Sequence, residues 1–159
     1  MKSEILTLLR EAEGYLSGQE LCTRFGVSRT AVWKAIKQLE KEGYTIEAVQ
    51  NKGYRLTAIP DTLSVSELKS RLHTAWVGSD IYFYESTDST NLQAKRLAEH
   101  KASHGTLVVA EAQTQGRGRR GRDWESPAVG NLYFTLLLRP ELEPGKASML
   151  TLIMALAVA

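Results

Sequence analysis

Cysteine is almost absent from the 159-residue sequence: Cys22 is the only one, so no disulfide can form within the chain. The three histidines, His73, His100 and His104, lack the spacing of a metal-binding motif, and no metal site is expected. Nowhere is there a run of the roughly 20 apolar residues that a membrane-spanning helix needs. The first residues, Lys2 to Glu13, are charged and amphipathic, which excludes a secretory signal. These absences point to a reducing, cytoplasmic setting without membrane partners. Charge of one sign is also lacking. The net charge is +2, so any affinity for nucleic acid must come from local clustering of basic residues.

What is present is the composition of a folded protein, 43% hydrophobic and 24% charged. The spacing of Ile5, Leu8, Leu9 and Ala12 predicts a helix ended by Gly14. Ser17 is placed to cap a second helix carrying Leu21, Cys22 and Phe25. Gly26 and Val27 make a turn, and Ser28 caps a third helix running to Glu42 and stopped by Gly43. Strands are expected over Tyr44 to Val49 and Tyr54 to Leu56, joined by Gln50-Asn51-Lys52-Gly53. This order is that of a winged helix-turn-helix. Pro60-Asp61 marks a linker, and Ser64 caps a helix over Val65 to Leu72. Strands at Ile81 to Tyr84, Thr106 to Ala110 and Leu132 to Leu138, with a helix from Thr90 to Glu99, then predict a mixed α/β region. The fold class is accordingly α/β (α+β), with a winged helix-turn-helix domain over residues 1–57, a linker over 58–63 and a second, mixed α/β domain over 64–159. The apolar stretch Met149 to Ala159 reads as a buried helix cut short, so the chain is expected to be a fragment.

Two segments carry chemistry. On the third helix Val32, Ala35, Ile36 and Leu39 share one side, while Thr30, Lys34, Lys37 and Lys41 share the other. A helix in the major groove needs this separation, one face anchored in the core and one offering hydrogen bonds and cations. Ser28, Arg29, Thr30, Trp33, Lys34 and Lys37 are the candidate DNA contacts. Lys52 and Arg55 on the hairpin would add phosphate contacts. The competing reading is a solvated basic face. The second segment is Gly116-Arg117-Gly118-Arg119-Arg120-Gly121-Arg122, preceded by Gln113 and followed by Trp124. Four cations on a glycine-rich backbone repel one another, so the loop is expected to stay mobile until an anion orders it. It suits a carboxylate attacking the α-phosphate of ATP, with Trp124 offering a stacking surface. Non-specific nucleic-acid binding and a plain surface loop are its alternatives. Asp88-Ser89-Thr90-Asn91 precedes a helix. It reads either as a site for a carboxylate or polar head group at free backbone N–H groups, or as an ordinary N-cap.

Taken together, Glu85 to Asn91, Ala110-Glu111-Ala112-Gln113, the arginine and glycine loop with Trp124, and Gly130-Asn131-Leu132-Tyr133, all behind a winged helix, resemble the bifunctional biotin protein ligases that also act as biotin operon repressors. The resemblance implies that biotin and ATP, with Mg2+, give biotinyl-5'-adenylate, and that a lysine of a biotin carboxyl carrier protein then takes the biotinyl group. It implies a biotin site of Ser89, Thr90, Asn91, Gln113, Gly116 and Arg117. The adenylate site would comprise Arg117, Arg119, Arg120, Arg122 and Trp124. Operator DNA and a homodimer formed on adenylate binding are the further partners it implies. Asp123 departs from the pattern and offsets one positive charge, and the family's essential lysine is expected beyond residue 159. A winged-helix regulator that senses a small molecule without catalysis is the alternative function.

Overall fold

The computed structural model describes residues 1–118, 122–128 and 130–158. Helices α1 (Lys2–Glu11), α2 (Gly18–Phe25) and α3 (Arg29–Lys41) precede a hairpin of β1 (Thr45–Val49) and β2 (Gly53–Ala58). Each predicted cap operates. Ser17 Oγ accepts from the Gln19 N–H at 3.2 Å, Ser28 Oγ accepts from the Ala31 N–H at 3.2 Å, and Gly26 closes α2 in the left-handed region at φ 63°. Several boundaries differ: β1 starts at Thr45 and β2 runs from Gly53 to Ala58, and α3 ends at Lys41. Helix α1 ends at Glu11, where Ala12 turns extended while its N–H still bonds the Leu8 carbonyl, so Gly14 plays no part in stopping it. The core joins Ile5, Leu6 and Leu9 to Leu21, Val32, Ile36, Leu39, Tyr44 and Ile46. Leu6, absent from the predicted stripe, is fully buried, and Leu8 packs at the core's margin.

The hairpin is anchored to the helices by Leu16, which exchanges backbone hydrogen bonds of 2.8 and 2.9 Å with Tyr54. Gly53 sits beside this exchange at φ 114°, and a Cβ there would lie 1.9 Å from the Leu16 carbonyl oxygen. No other residue type fits so close a backbone approach.

Helix α4 (Val65–Arg71), capped by Ser64, packs on α1 and also touches the second sheet. Its Glu67 is buried and accepts from the Tyr44 hydroxyl at 2.6 Å, from Arg71 Nε at 2.6 Å and from Arg10. Burial alone pushes the Glu67 carboxyl up, and the hydrogen bonds from Tyr44, Arg71 and Arg10 outweigh it, leaving the group below the ordinary glutamate value. Burial, joined by the bond to Glu67, pushes the Tyr44 phenol up to about 12.

In the second region β3 (Ile81–Thr87) runs parallel to β4 (Leu107–Arg117) through the crossover helix α5 (Thr90–Glu99). On its other side β4 pairs antiparallel with β6 (Tyr133–Leu136) near its start and with β5 (Asp123–Ser126) near its end. The mixed α/β architecture is therefore as expected, with β3 running three residues past its predicted end at Tyr84 and two further differences. Strand β4 runs seven residues past the predicted end at Ala110, to Arg117, and β5 lies where the sequence predicts no strand. Polar side chains on both faces hide these extensions from an argument based on apolar alternation. The last helix, α6 (Met149–Val158), forms but is not buried: Leu152 is 67% and Leu156 80% exposed. A helix apolar on every side needs packing partners on every side, and the described residues do not supply them. None of the helices described is long and apolar enough to cross a membrane.

Candidate ligand groove and nucleic-acid surface

Gly116 and Arg117, expected in a loop, end β4 and stand opposite Trp124 and Asp123 of β5, and the Gly118 N–H donates to the Arg122 carbonyl at 2.7 Å. Gly116 to Gly118 and Arg122 thus belong to a β-hairpin. Arg119, Arg120 and Gly121 lie outside the described residues, as does the expected mobility of the loop. Between the pairs Gln113 with Ser126 and Gly116 with Trp124, β4 has one residue more than β5, which makes a β-bulge at Thr114 and Gln115. The bulge redirects donors. The Gln115 N–H leaves the hairpin and bonds the Asp88 carbonyl at 2.8 Å, which ties β4 to the turn between β3 and α5.

Beside the hairpin is an open groove of about 740 Å3, lined by Gln113, Gly116, Arg117, Asp123, Trp124 and Ser126 among others. The Trp124 ring is 62% exposed on its wall. A Cβ on Gly116 would stand 2.4 Å from the Trp124 carbonyl oxygen, so glycine is what lets the strands close here. Beneath the groove a directional chain of hydrogen bonds crosses four elements. The Thr135 hydroxyl donates to Thr90 Oγ1 (3.0 Å), which donates to Gln113 Oε1 (3.1 Å). Gln113 Nε2 then donates to Ser126 Oγ (3.1 Å), whose hydroxyl donates to the Trp124 carbonyl (3.2 Å). Each member polarises the next and holds the Gln113 amide in one orientation.

The predicted residues assemble only in part at the groove. Gln113, Gly116, Arg117 and Trp124 line it, whereas Thr90 reaches it through Gln113, and Asn91 Oδ1 lies 3.1 Å from the Thr135 hydroxyl and competes with Thr90 for its one proton. The Thr90 N–H, expected to be free at the start of α5, is taken by Gln113 Oε1 at 2.8 Å. Ser89 is buried and occupies the N-cap position without capping, so the ordinary N-cap reading fails for its side chain. Asp88 is held well below the usual carboxylate range, at about 2, first by Arg96 at 2.6 Å and then by the Ser89 N–H at 2.7 Å. Sequence reasoning missed Ser126 and Thr135. Both are small polar residues on strands whose place beside Gln113 is set by non-local pairing. No group of three or more His, Cys, Asp or Glu side chains suited to a metal ion occurs among the described residues.

A second surface lies on α3. Val32, Ala35, Ile36 and Leu39 are buried, while Ser28, Arg29, Thr30, Lys34 and Lys37 are exposed. Trp33, whose direction the sequence leaves open, is 51% exposed and shares a shallow recess with Lys34, Lys37, Gln38 and Lys41. Arg29 and Lys52 line one recess of about 390 Å3 between α2, α3 and the hairpin, and Arg29 is steadied by Gln19 Oε1 at 3.0 Å. Two of the predicted cations are already engaged. Lys37 pairs with Glu40 at 2.6 Å, and Arg55 pairs with Glu47 at 2.7 Å while lying over the Tyr15 ring.

Two stretches of the chain match known families. Residues 2–55 match the model of an HTH domain, and residues 82–159 match the biotin/lipoate A/B protein ligase family. The chain is 42% identical to the bifunctional ligase/repressor BirA of Bacillus subtilis, over 99% of this chain and 49% of that protein. It is 34% identical to the protein of the same name from Escherichia coli K12, over 98% of this chain and 47% of that one. Among solved structures, biotin protein ligase from Leishmania major in complex with biotinyl-5-AMP aligns at a TM-score of 0.41 and 38% identity, covering 50% of this chain and 32% of that one. The chain spans about half the length of the curated relatives it matches.

Proposed function

We propose the following role for this chain, which belongs to the biotin/lipoate A/B protein ligase family in its bifunctional ligase/repressor branch: it supplies the operator-binding domain and the biotin and adenylate groove of a biotin protein ligase. The division into residues 1–57, 58–63 and 64–159 belongs to this reading. The observation that carries it is the hydrogen-bond chain from Thr135 to Trp124, which links polar groups suited to a cyclic urea to an exposed indole suited to adenine.

In the proposed reaction a carboxylate oxygen of biotin attacks the α-phosphorus of ATP. The bond to the β-phosphate breaks, pyrophosphate leaves, and a mixed anhydride forms. A carrier lysine amine then attacks the acyl carbon, forming an amide and releasing AMP and a proton. Ser89, Thr90, Asn91, Gln113 and Gly116 would orient biotin. Arg117, together with Arg119, Arg120 and Arg122, would neutralise charge on the carboxylate, the α-phosphate and the departing pyrophosphate. Trp124 would stack on the base. Mg2+ would arrive on the phosphates of ATP, and no step is assigned to a protein-held metal. The exposed face of α3 would enter the major groove, with Arg29 and Lys52 on phosphates. Dimerisation on adenylate binding would make the intermediate the signal for repression.

The test is pyrophosphate release by the protein that carries this sequence, assayed with biotin and ATP. Biotin-dependent release is expected, and Arg119→Ala should speed loss of bound adenylate. Biotin binding without pyrophosphate release would select the sensor reading instead.

A further inference from the structure

Tyr15, between α1 and α2, is half-buried yet stands apart from the apolar cluster of the winged helix, which takes in its neighbours Leu16, Tyr54 and Leu56. Its ring meets charge instead. The Arg55 guanidinium carbon lies over it at 4.9 Å from the centroid, and Lys52 Nζ lies over it at 5.7 Å. The backbone fixes this placement. Leu16 pairs with Tyr54 in an antiparallel bridge, which sets Tyr15 opposite Arg55, while Glu47 of β1 stands across from Arg55 on its other side. Arg55 is therefore flanked by a ring and a carboxylate. The ion pair with Glu47 is exposed at both ends and holds Arg55 only weakly. Lys52 reaches the other way as well, lining with Arg29 the recess between the hairpin and the start of α3.

We propose that Tyr15 is a positioning residue for DNA: its ring holds the Lys52 and Arg55 side chains on the hairpin in the orientation in which they meet phosphates of the duplex. Both side chains are long and rich in rotamers, and ordering such groups on binding costs affinity. A ring whose negative face already gathers both cations removes part of that cost. When DNA binds, a phosphate takes the place of Glu47 at Arg55, and the uncharged ring keeps its hold. The ring is what acts, and the hydroxyl is not required.

This inference rests on the reading of the winged helix as a DNA-binding domain. Fluorescence anisotropy of the protein that carries this sequence separates the two, using a labelled mixed-sequence duplex of about 30 base pairs, since phosphate contacts need no particular sequence. The wild type should bind. Lys52→Ala with Arg55→Ala should weaken binding and lower the salt slope by about two units, one for each phosphate. Tyr15→Leu should raise Kd by about fivefold or more, the scale of two exposed cation–π contacts. Tyr15→Phe, which keeps the ring, should stay within about twofold of the wild type. In the background lacking both cations, Tyr15→Leu should change Kd by less than about twofold, because the ring has nothing left to orient, whereas damage to the hairpin itself would persist there. An undiminished loss in that background, or an unchanged Kd in Tyr15→Leu alone, would overturn the positioning role and leave DNA binding standing. So would an unchanged salt slope without the two cations, or a loss in Tyr15→Phe equal to that in Tyr15→Leu. Failure of the wild type to bind the duplex would overturn the DNA reading and this inference with it.

Discussion

Glu67→Ala removes the one carboxylate through which α4 is held to the winged helix, and its cost can be worked from its three partners. Tyr44 is 2% exposed, and its hydroxyl loses its acceptor, a penalty of about 1 to 3 kcal/mol. Arg10, only 16% exposed, is left as an uncompensated charge, and breaking a buried pair from one side costs about 3 to 5 kcal/mol. Arg71 is 61% exposed and is discounted, since water replaces its partner. The first two losses share one carboxylate and do not add, so about 4 kcal/mol is expected. At a slope of about 1.5 kcal/mol/M this moves the urea midpoint of the N-terminal transition down by between about 2 and 3 M, read by the fluorescence of the tryptophans. The same cluster sets two pH limits. Glu67 is depressed in the folded state, so its contribution is present above the ordinary glutamate value and is lost as pH falls through the lower, folded value. Tyr44 is raised to about 12, so its contribution is intact below 10.0, the ordinary phenol value, and disappears between there and about 12. Glu67→Gln should abolish the acid limb and retain much of the alkaline one. A midpoint shift below about 0.3 M in Glu67→Ala would refute the latch.

Gly116→Ala places a methyl 2.4 Å from the Trp124 carbonyl oxygen and 2.6 Å from Ser126 Oγ, so β4 and β5 must part. Biotin affinity should fall by about tenfold or more with the N-terminal transition unchanged, as calorimetry and unfolding would show. Gly53→Ala meets the Leu16 carbonyl at 1.9 Å with φ at 114° and should cost more than about 2 kcal/mol, lowering the melting temperature of the winged helix and weakening DNA binding in a shift assay. Lys34→Ala with Lys37→Ala should reduce the salt dependence of operator binding by about one unit of slope for each phosphate no longer neutralised. Since Glu40 competes for Lys37, Glu40→Gln should tighten binding at low salt, and an unchanged Kd would remove Lys37 from the interface.

Much of the N-terminal domain was legible because its information is local. Capping serines, left-handed glycines and a four-residue apolar stripe on α3 act within one or two turns of chain, and each formed where the spacing placed it. The groove was legible only as an inventory. Gln113, Gly116, Arg117 and Trp124 stood out by composition, but their hairpin did not, since a strand built of polar residues and a bulge lacks the alternation that marks a buried edge. The partners of those residues were beyond reach for a different reason. Whether Thr90 meets Gln113, whether Ser126 meets both Gln113 and Trp124, and whether Ser89 caps its helix depend on strand register across up to 45 residues of sequence, as in the bond from Thr135 to Thr90. The same holds for Glu67, an unremarkable helical glutamate until α4 is laid against α1 and becomes the acceptor for Arg10 and Tyr44. Sequence alone determined which segments turn, coil or extend, because those choices are made by neighbours along the chain. Tertiary structure decided which polar groups face one another, because burial obliges each donor to find an acceptor wherever the fold brings one within reach.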